Sequence, residues 1–420
     1  NNPFTTPALS GIIGKGYTTG AGNYDLSALA ASDAFGAAVA LSGTQLAVGA
    51  RGDDGAGNVA TDSGAVYLFN NPFTTPALSG IIGKGYTGTG NYDLSALAMG
   101  DYFGTSVSLS GTQMAVGARG DAGAGNASAY SGAVYLFNTP FSTPALSGII
   151  GLGYTGASNY DLSTLATNDN FGASVSLSGT QLAVGAFFDD GFGNVATDGG
   201  AVYLFNTPFS TPALSGIIGK GYTGAGNYDL SRLAASDYFG ASVSLSGTQL
   251  AVGAYRDDGV VNVDTDSGAV YLFNTPFSTP TLAGIIGKGY TGTGSYNLSA
   301  LAANDYFGAS VSLSGTQLAV GAYGDDGSGN VATDSGAVYL FNNPFSTPAL
   351  SGIIGQGYVG AGNYGLSALA ASDRFGYSVS LSGTQLAVGA SQDDGAGNAI
   401  SNSGAVYLFN TPFTTPTLSG

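Results

Sequence analysis

The side chains with the most chemical potential sit in a loop that recurs through the sequence. Asp53-Asp54-Gly55-Ala56-Gly57-Asn58 is followed by Asp62, and the spacing returns as Asp189, Asp190, Asn194 and Asp198, as Asp257, Asp258, Asn262 and Asp266, and as Asp325, Asp326, Asn330 and Asp334. Hard cations such as Ca²⁺ take carboxylate and carbonyl oxygens from loops of this kind, which makes these residues candidate calcium ligands. A structural reading competes with it. Asp and Asn fold back onto backbone N–H groups and tolerate left-handed turns, and this alone accounts for Asp-Asp-Gly-x-Gly-Asn between two strands. The first Asp and the Asn recur in two further copies, as Asp121 with Asn126 and Asp393 with Asn398, but the last acid is replaced there by Tyr130 and Asn402.

Other candidates are weaker. A single Asp precedes each of six Phe-Gly pairs, at Asp33, Asp101, Asp169, Asp237, Asp305 and Asp373, where it suits a turn cap at the entry to a strand. Arg51-Gly52-Asp53 and Arg119-Gly120-Asp121 spell a tripeptide that integrins bind, but the other copies read FFD, YRD, YGD and SQD, the mark of a freely varying position. Tyr255 and Tyr323, near the variable loops, offer rings that stack on sugars. Catalysis is not expected. Adjacent carboxylates on one loop do not face each other across a bond, there is no Cys or His to act as nucleophile or base, and near-identical units distribute every residue type equally.

The elements that position these loops follow from the repeat. Phe-Gly recurs at Phe35, Phe103, Phe171, Phe239, Phe307 and Phe375 with a constant period. Each unit reads as four strand-length segments, in the third copy FGASVSLSG from Phe171, TQLAVGA from Thr180, GAVYLFN from Gly200 and PALSGIIG from Pro212. The first alternates, with Phe171, Ala173, Val175 and Leu177 on one face, and its Ser-Gly link suits a tight hairpin into Leu182-Ala183-Val184. Ala201 to Phe205 is apolar without a break, so both of its faces must be covered. A Tyr-Asp-Leu in the following glycine-rich stretch is placed to add an edge strand.

The pattern FGASVSLSG, LAVGA, GAVYLF resembles the FG-GAP repeats of integrin alpha-chain propellers and, more closely, repeats in very large bacterial surface proteins of the haemagglutinin or adhesin type. The resemblance covers essentially the whole chain and implies a six-bladed all-β propeller, with a β-solenoid as the alternative. Two departures stand out. The Pro of Gly-Ala-Pro is replaced in every copy, by Arg51, Arg119, Phe187, Tyr255, Tyr323 and Ser391, and the family's acidic calcium loop between the first two strands is replaced by a bare turn, as at Ser42 to Gln45.

Composition narrows the function. The chain has 420 residues, 71 of them Gly, with 25 Tyr and 22 Phe, which disfavours helix and favours strands. A formal charge of −17 argues against a nucleic-acid partner. No apolar run is long enough to insert in a membrane. The expected organisation is a single repeat domain, 1–420, with cores at 33–70, 101–138, 169–206, 237–274, 305–342 and 373–410 and a spare partial strand at each end, 1–13 and 411–420. Asn1-Asn2-Pro3-Phe4 starts inside a repeat, so the chain reads as cut from something longer. The expected role is that of an extracellular or cell-surface structural or adhesive protein, with itself as a partner through strand sharing or end-to-end assembly. The alternative is a module whose loops bind calcium, a surface glycan or a protein.

Overall fold

The structure, a computed structural model, describes residues 11–19, 22–262, 264–395, 402–414 and 416–418. Most of the N-terminal partial strand, and Asn398 of the last loop, lie outside them. The described residues are all-β, without a helix, and the fold is a six-blade β-propeller of six repeats. Two compact units divide the chain, one running up to Asp190 with Ala201–Ile217, the other comprising Gly191–Gly200 and everything from Ile218.

The second blade shows how the sequence builds a sheet. Its strands, in order across the sheet, are Phe103–Ser110, Gln113–Ala118, Ala133–Asn138, Ala145–Gly151 and Tyr160–Asp161. Ser110-Gly111-Thr112-Gln113 closes the first hairpin, with Gly111 left-handed at φ 58°. The third strand is central and antiparallel to both neighbours, pairing Tyr135 with Val116 on one side and with Ile149 on the other. The short fifth strand pairs parallel with the fourth, Tyr160 opposite Ile150, so the edge strand expected from Tyr-Asp-Leu is present. The first, third, fourth and fifth blades repeat this order; the sixth has four strands, ending at Thr417–Leu418. Ahead of the first blade, Ile13–Gly14 pairs parallel with Tyr24–Asp25, as the fourth and fifth strands do elsewhere.

Burial on both faces of the third strand is the organising fact. Ala133, Val134, Tyr135, Leu136 and Phe137 are all 0% exposed. One face meets the blade's own Phe103, whose ring lies edge-on to Tyr135 at 5.4 Å and to Phe137 at 6.2 Å. That face also receives the preceding blade, since Val66, Leu68 and Ile82 share one apolar cluster with Phe103, Val116, Tyr135 and Phe137. In the second unit Val270, Leu272 and Ile286 pack likewise on Phe307, Val320 and Tyr339, and Val338, Leu340 and Ile354 on Phe375, Val388 and Phe409. At about 1.5–3 kcal/mol for each large side chain buried, these contacts between blades are the main stabilising term.

Close backbone approach completes the interface. Gly268, left-handed at φ 87°, forms a parallel bridge with Phe307, and a Cβ there would stand 2.1 Å from the Phe307 carbonyl oxygen. Gly247 is left-handed too, at φ 59°, but has open space around it. Gly247→Ala is therefore expected to cost about 1 kcal/mol of backbone strain, and Gly268→Ala considerably more because the next blade must also shift. Urea unfolding of the two variants checks this; equal losses would show that the close approach is not needed.

Candidate functional site

The first Asp of each candidate loop is turned inward. Asp53 is 2% exposed. Its Oδ1 accepts the Gly55 N–H at 2.8 Å, its Oδ2 accepts the Tyr67 hydroxyl at 2.7 Å, and the Tyr86 hydroxyl donates to both oxygens at 3.0 Å. Tyr67 comes from the third strand and Tyr86 from the turn after the fourth, so one carboxylate ties three parts of the blade together. The arrangement recurs at Asp121 with Tyr135 and Tyr154, at Asp257 with Tyr271 and Tyr290, and at Asp325 with Tyr339 and Tyr358. Asp189 accepts from Tyr203 and Asp393 from Tyr407. Burial and the adjacent carboxylate push the hydroxyls of Tyr67, Tyr86, Tyr271 and Tyr290 well above the ordinary tyrosine range, which keeps them protonated donors.

The second Asp clamps the loop. Asp54 Oδ1 accepts the Asp62 N–H at 2.8 Å, and Asp258 and Asp326 accept from Asp266 and Asp334 in the same way. Asn58, Asp62, Asn194, Asp198, Asn262, Asp266, Asn330 and Asp334 all have φ between 53° and 57°, the left-handed turn conformation. In the third copy the loop crosses the division of the chain, with Asp189 and Asp190 in the first unit and Asn194 and Asp198 in the second. Among the described residues, no three His, Cys, Asp or Glu side chains converge as metal ligands would. In the fifth copy Asp325, Asp326 and Asn330 do line a cleft of about 150 Å³, together with Asp305 and Tyr358. The Arg-Gly-Asp tripeptides cannot present their acid, because Asp53 and Asp121 are each 2% exposed.

The Asp before each Phe-Gly caps a turn, as its position suggested. Asp101 Oδ2 accepts the Ala98 N–H at 2.7 Å, and Asp305 accepts that of Ala302 at 2.8 Å. These acids are buried too, at 3% and 4% exposure. Burial, then the neighbouring Asp of the tyrosine network, raises the carboxyls of Asp101 and Asp237 to about 7 and those of Asp169 and Asp305 to about 8. Asp121, Asp257 and Asp325 are also raised by burial, but tyrosine and backbone donors oppose the rise. The turn-capping Asp237 accepts one backbone N–H, against two tyrosine hydroxyls and a backbone N–H at Asp257, so hydrogen bonding opposes the rise less there.

A different set of residues breaks the repeat symmetry. In the second unit the position before Phe-Gly holds Tyr238, Tyr306 and Arg374, and the position after Gly-Ala holds Tyr255 and Tyr323. Their side chains converge. Tyr306 stacks on Tyr323 with ring centroids 5.0 Å apart and planes 21° from parallel, and Tyr255 and Tyr377 stand 6.5 and 5.6 Å from Tyr323. Arg256 lies over the Tyr238 ring at 4.8 Å and Arg374 over Tyr323 at 5.7 Å. Tyr377 is half exposed, and the others are partly so. Tyr238 and Tyr306 hold left-handed backbone, φ 57° and 56°, a costly conformation for an aromatic residue that fixes where the ring points. Sequence reasoning picked out Tyr255 and Tyr323 but not their convergence with Tyr306 and Tyr377.

The blades and their loop network define a repeat propeller, a fold class of protein-interaction modules. The sequence profile described as FG-GAP repeat matches six times, over residues 27–69, 95–137, 163–205, 231–273, 299–341 and 367–409. The chain belongs to the FG-GAP repeat family. No curated protein matches the sequence significantly. Among solved structures, the crystal structure of Saccharomyces cerevisiae Sqt1 aligns with 92% of this chain and 85% of its own, at 9% identity and a TM-score of 0.42.

Two expectations follow from the buried carboxylates. Asp257→Ala leaves two tyrosine hydroxyls and the Gly259 N–H without their acceptor and is expected to cost about 3 kcal/mol. Asp264→Ala removes only a surface ion pair with Lys288 at 3.2 Å and should cost under about 1 kcal/mol. Chemical denaturation of both compares them. The raised acids fix a pH dependence. Their folded pKa lies above the unfolded value of about 3.9, so the folded state binds more protons, and their stabilising contribution is full below about pH 4 and lost as pH rises through 7 to 8. Melting temperature should be higher at about pH 5 than at about pH 8.5, and Asp305→Asn should narrow that gap. A gap that Asp305→Asn leaves unchanged would assign the effect to other groups.

Proposed function

We propose that the chain is a non-enzymatic, extracellular adhesive repeat module that binds a surface saccharide through the tyrosine and arginine strip of its second unit. The observation that carries this reading is the contrast between copied framework and varied strip. The loop acids, the network tyrosines and the third strand recur from unit to unit, and they bind one another. The residues that differ, at 255, 256, 306, 323, 374 and 377, gather side by side and partly face solvent. Tyrosine rings offer an apolar face to the C–H surface of a sugar and a hydroxyl to its rim, and guanidinium adds donors for sugar hydroxyls or carboxylates. The ring of Tyr323, held between Tyr306, Tyr377 and Arg374, is pre-ordered, so little side-chain entropy is lost on contact.

A glycan array probed with the whole chain, followed by titration of the best ligand, tests this. The double variant Tyr306→Ala, Tyr323→Ala is expected to bind at least about tenfold more weakly, while Tyr130→Ala, an exposed tyrosine of the first unit, leaves binding unchanged. Binding that survives the double variant would remove the strip from the reading.

A further inference from the structure

We infer that the saccharide taken by the tyrosine strip is an acidic one, and that Arg374 is the residue that holds its anionic group. The inference rests on the saccharide reading above and names the class of sugar and the turn that selects it. It comes from the sixth copy, where two positions of a single turn depart from every other copy. Ahead of Phe-Gly the first five copies have Ala34, Tyr102, Asn170, Tyr238 and Tyr306, and the sixth has Arg374. Directly after Phe-Gly they have Ala37, Thr105, Ala173, Ala241 and Ala309, and the sixth has Tyr377. The Tyr377 N–H donates to the Arg374 carbonyl at 3.2 Å, so one turn carries both new side chains. Both reach the same ring of the fifth copy. The Arg374 guanidinium lies 5.7 Å from the centroid of Tyr323, and the Tyr377 ring lies 5.6 Å from it. All of these contacts fall within the second unit.

The charge of Arg374 has no counter-charge beside it. Cations are scarce in this chain, 9 against 26 acids, and several are taken up by the framework. Lys84, Lys220 and Lys288 donate to the backbone carbonyls of Leu97, Leu233 and Leu301, and Lys288 also pairs with Asp264. Arg256, the other guanidinium of the strip, has the Asp266 carboxylate within electrostatic reach. Arg374 has neither kind of partner. Among the described residues it makes no ion pair and no side-chain hydrogen bond, and its contact is the face of Tyr323. The adjacent Asp373 is turned away from it, 3% exposed, with its Oδ2 accepting the Ala370 N–H at 2.7 Å. A guanidinium over a tyrosine ring is held there by cation–π attraction, while its N–H donors, which lie in its own plane, stay available. Two of them match two oxygens of a carboxylate or a sulfate in a charge-assisted pair. Tyr323 and Tyr377 beside it offer apolar ring faces for the C–H surface of a pyranose. An acidic sugar carries both features side by side, a ring and an anionic group attached to it directly or through one oxygen. A neutral sugar would leave the guanidinium without its strongest partner.

A glycan array holding neutral, carboxylated and sulfated forms of the same backbones, probed with the whole chain and followed by titration, tests this. The wild-type chain is expected to bind an acidic form at least about tenfold more tightly than its neutral counterpart, and the form preferred identifies the anionic group. The formal charge of −17 repels anions at long range, so such a preference has to come from local contacts. Arg374→Asn should bring the acidic and neutral forms to within about threefold of each other. The turn accepts this change, since Asn170 holds the same place in the third copy at φ 55°. Arg374→Lys should recover only part of the preference, because an ammonium lacks the planar fork. Tyr377→Ala, which restores the residue of the fourth and fifth copies, should weaken acidic and neutral forms alike. Equal affinity for both forms, lost together in the Tyr306→Ala, Tyr323→Ala double variant, overturns the inference and leaves the saccharide reading standing. A preference for acidic forms that survives Arg374→Asn overturns the assignment to Arg374. A chain that binds no glycan of any form overturns both.

Discussion

Every repeat contains a strand that cannot bury itself. Ala-Val-Tyr-Leu-Phe is apolar on both faces, and a lone sheet covers at most one of them with its own Phe-Gly phenylalanine. The opposite face, whose Val and Leu align with the Ile of the fourth strand, is satisfied only by the following blade, which supplies its Phe, Val and Tyr side chains. Stacking is therefore a condition of folding for this sequence. The glycines at 253, 268, 321 and 336 follow from the same requirement, since the rows meet only if the backbones approach closely enough to exclude a Cβ.

The buried aspartates answer a different demand of that core. Tyrosine on the third strand supplies a large ring for packing but carries a hydroxyl into an apolar interior, where an unpaired group costs free energy. Asp257 meets the hydroxyls of Tyr271 and Tyr290 and, through Gly259, fixes the loop that follows the second strand. Burial raises this carboxyl and that of the nearby Asp237, which accepts a single backbone N–H, and the tyrosine and backbone donors at Asp257 oppose the rise.

The strands were legible because their cause is local. Alternation in FGASVSLSG, the unbroken run in AVYLF and the Ser-Gly turn each state their burial within a few residues. The acidic loop was legible as a loop, and its Asp and Asn do occupy left-handed turns. Its partners were not, since Tyr67 and Tyr86 lie far along the chain from Asp53 and reach it only once the third and fourth strands have paired. The one available signal was a polar tip on an otherwise apolar strand, recurring at constant distance from a recurring acid. The strip was hidden for another reason: a tyrosine at 238 or 306 occupies a backbone conformation where Asn, as at Asn170, is the expected residue.

Repetition also determines where distinct function can reside. A substitution in the third strand disturbs two blades at once, and one in the tyrosine network leaves a buried group unpaired, so neither position is free to diverge. The positions flanking Phe-Gly and following Gly-Ala lie at strand ends, where a side chain can change without altering either packed row. In the first unit they hold Arg51, and Arg119 over Tyr102; in the second they hold rings that touch across consecutive blades. The regular spacing of the blades brings these freely varying positions together, so the constraint that forces the copies to stack also builds, from single substitutions in each, one continuous surface that no copy has alone.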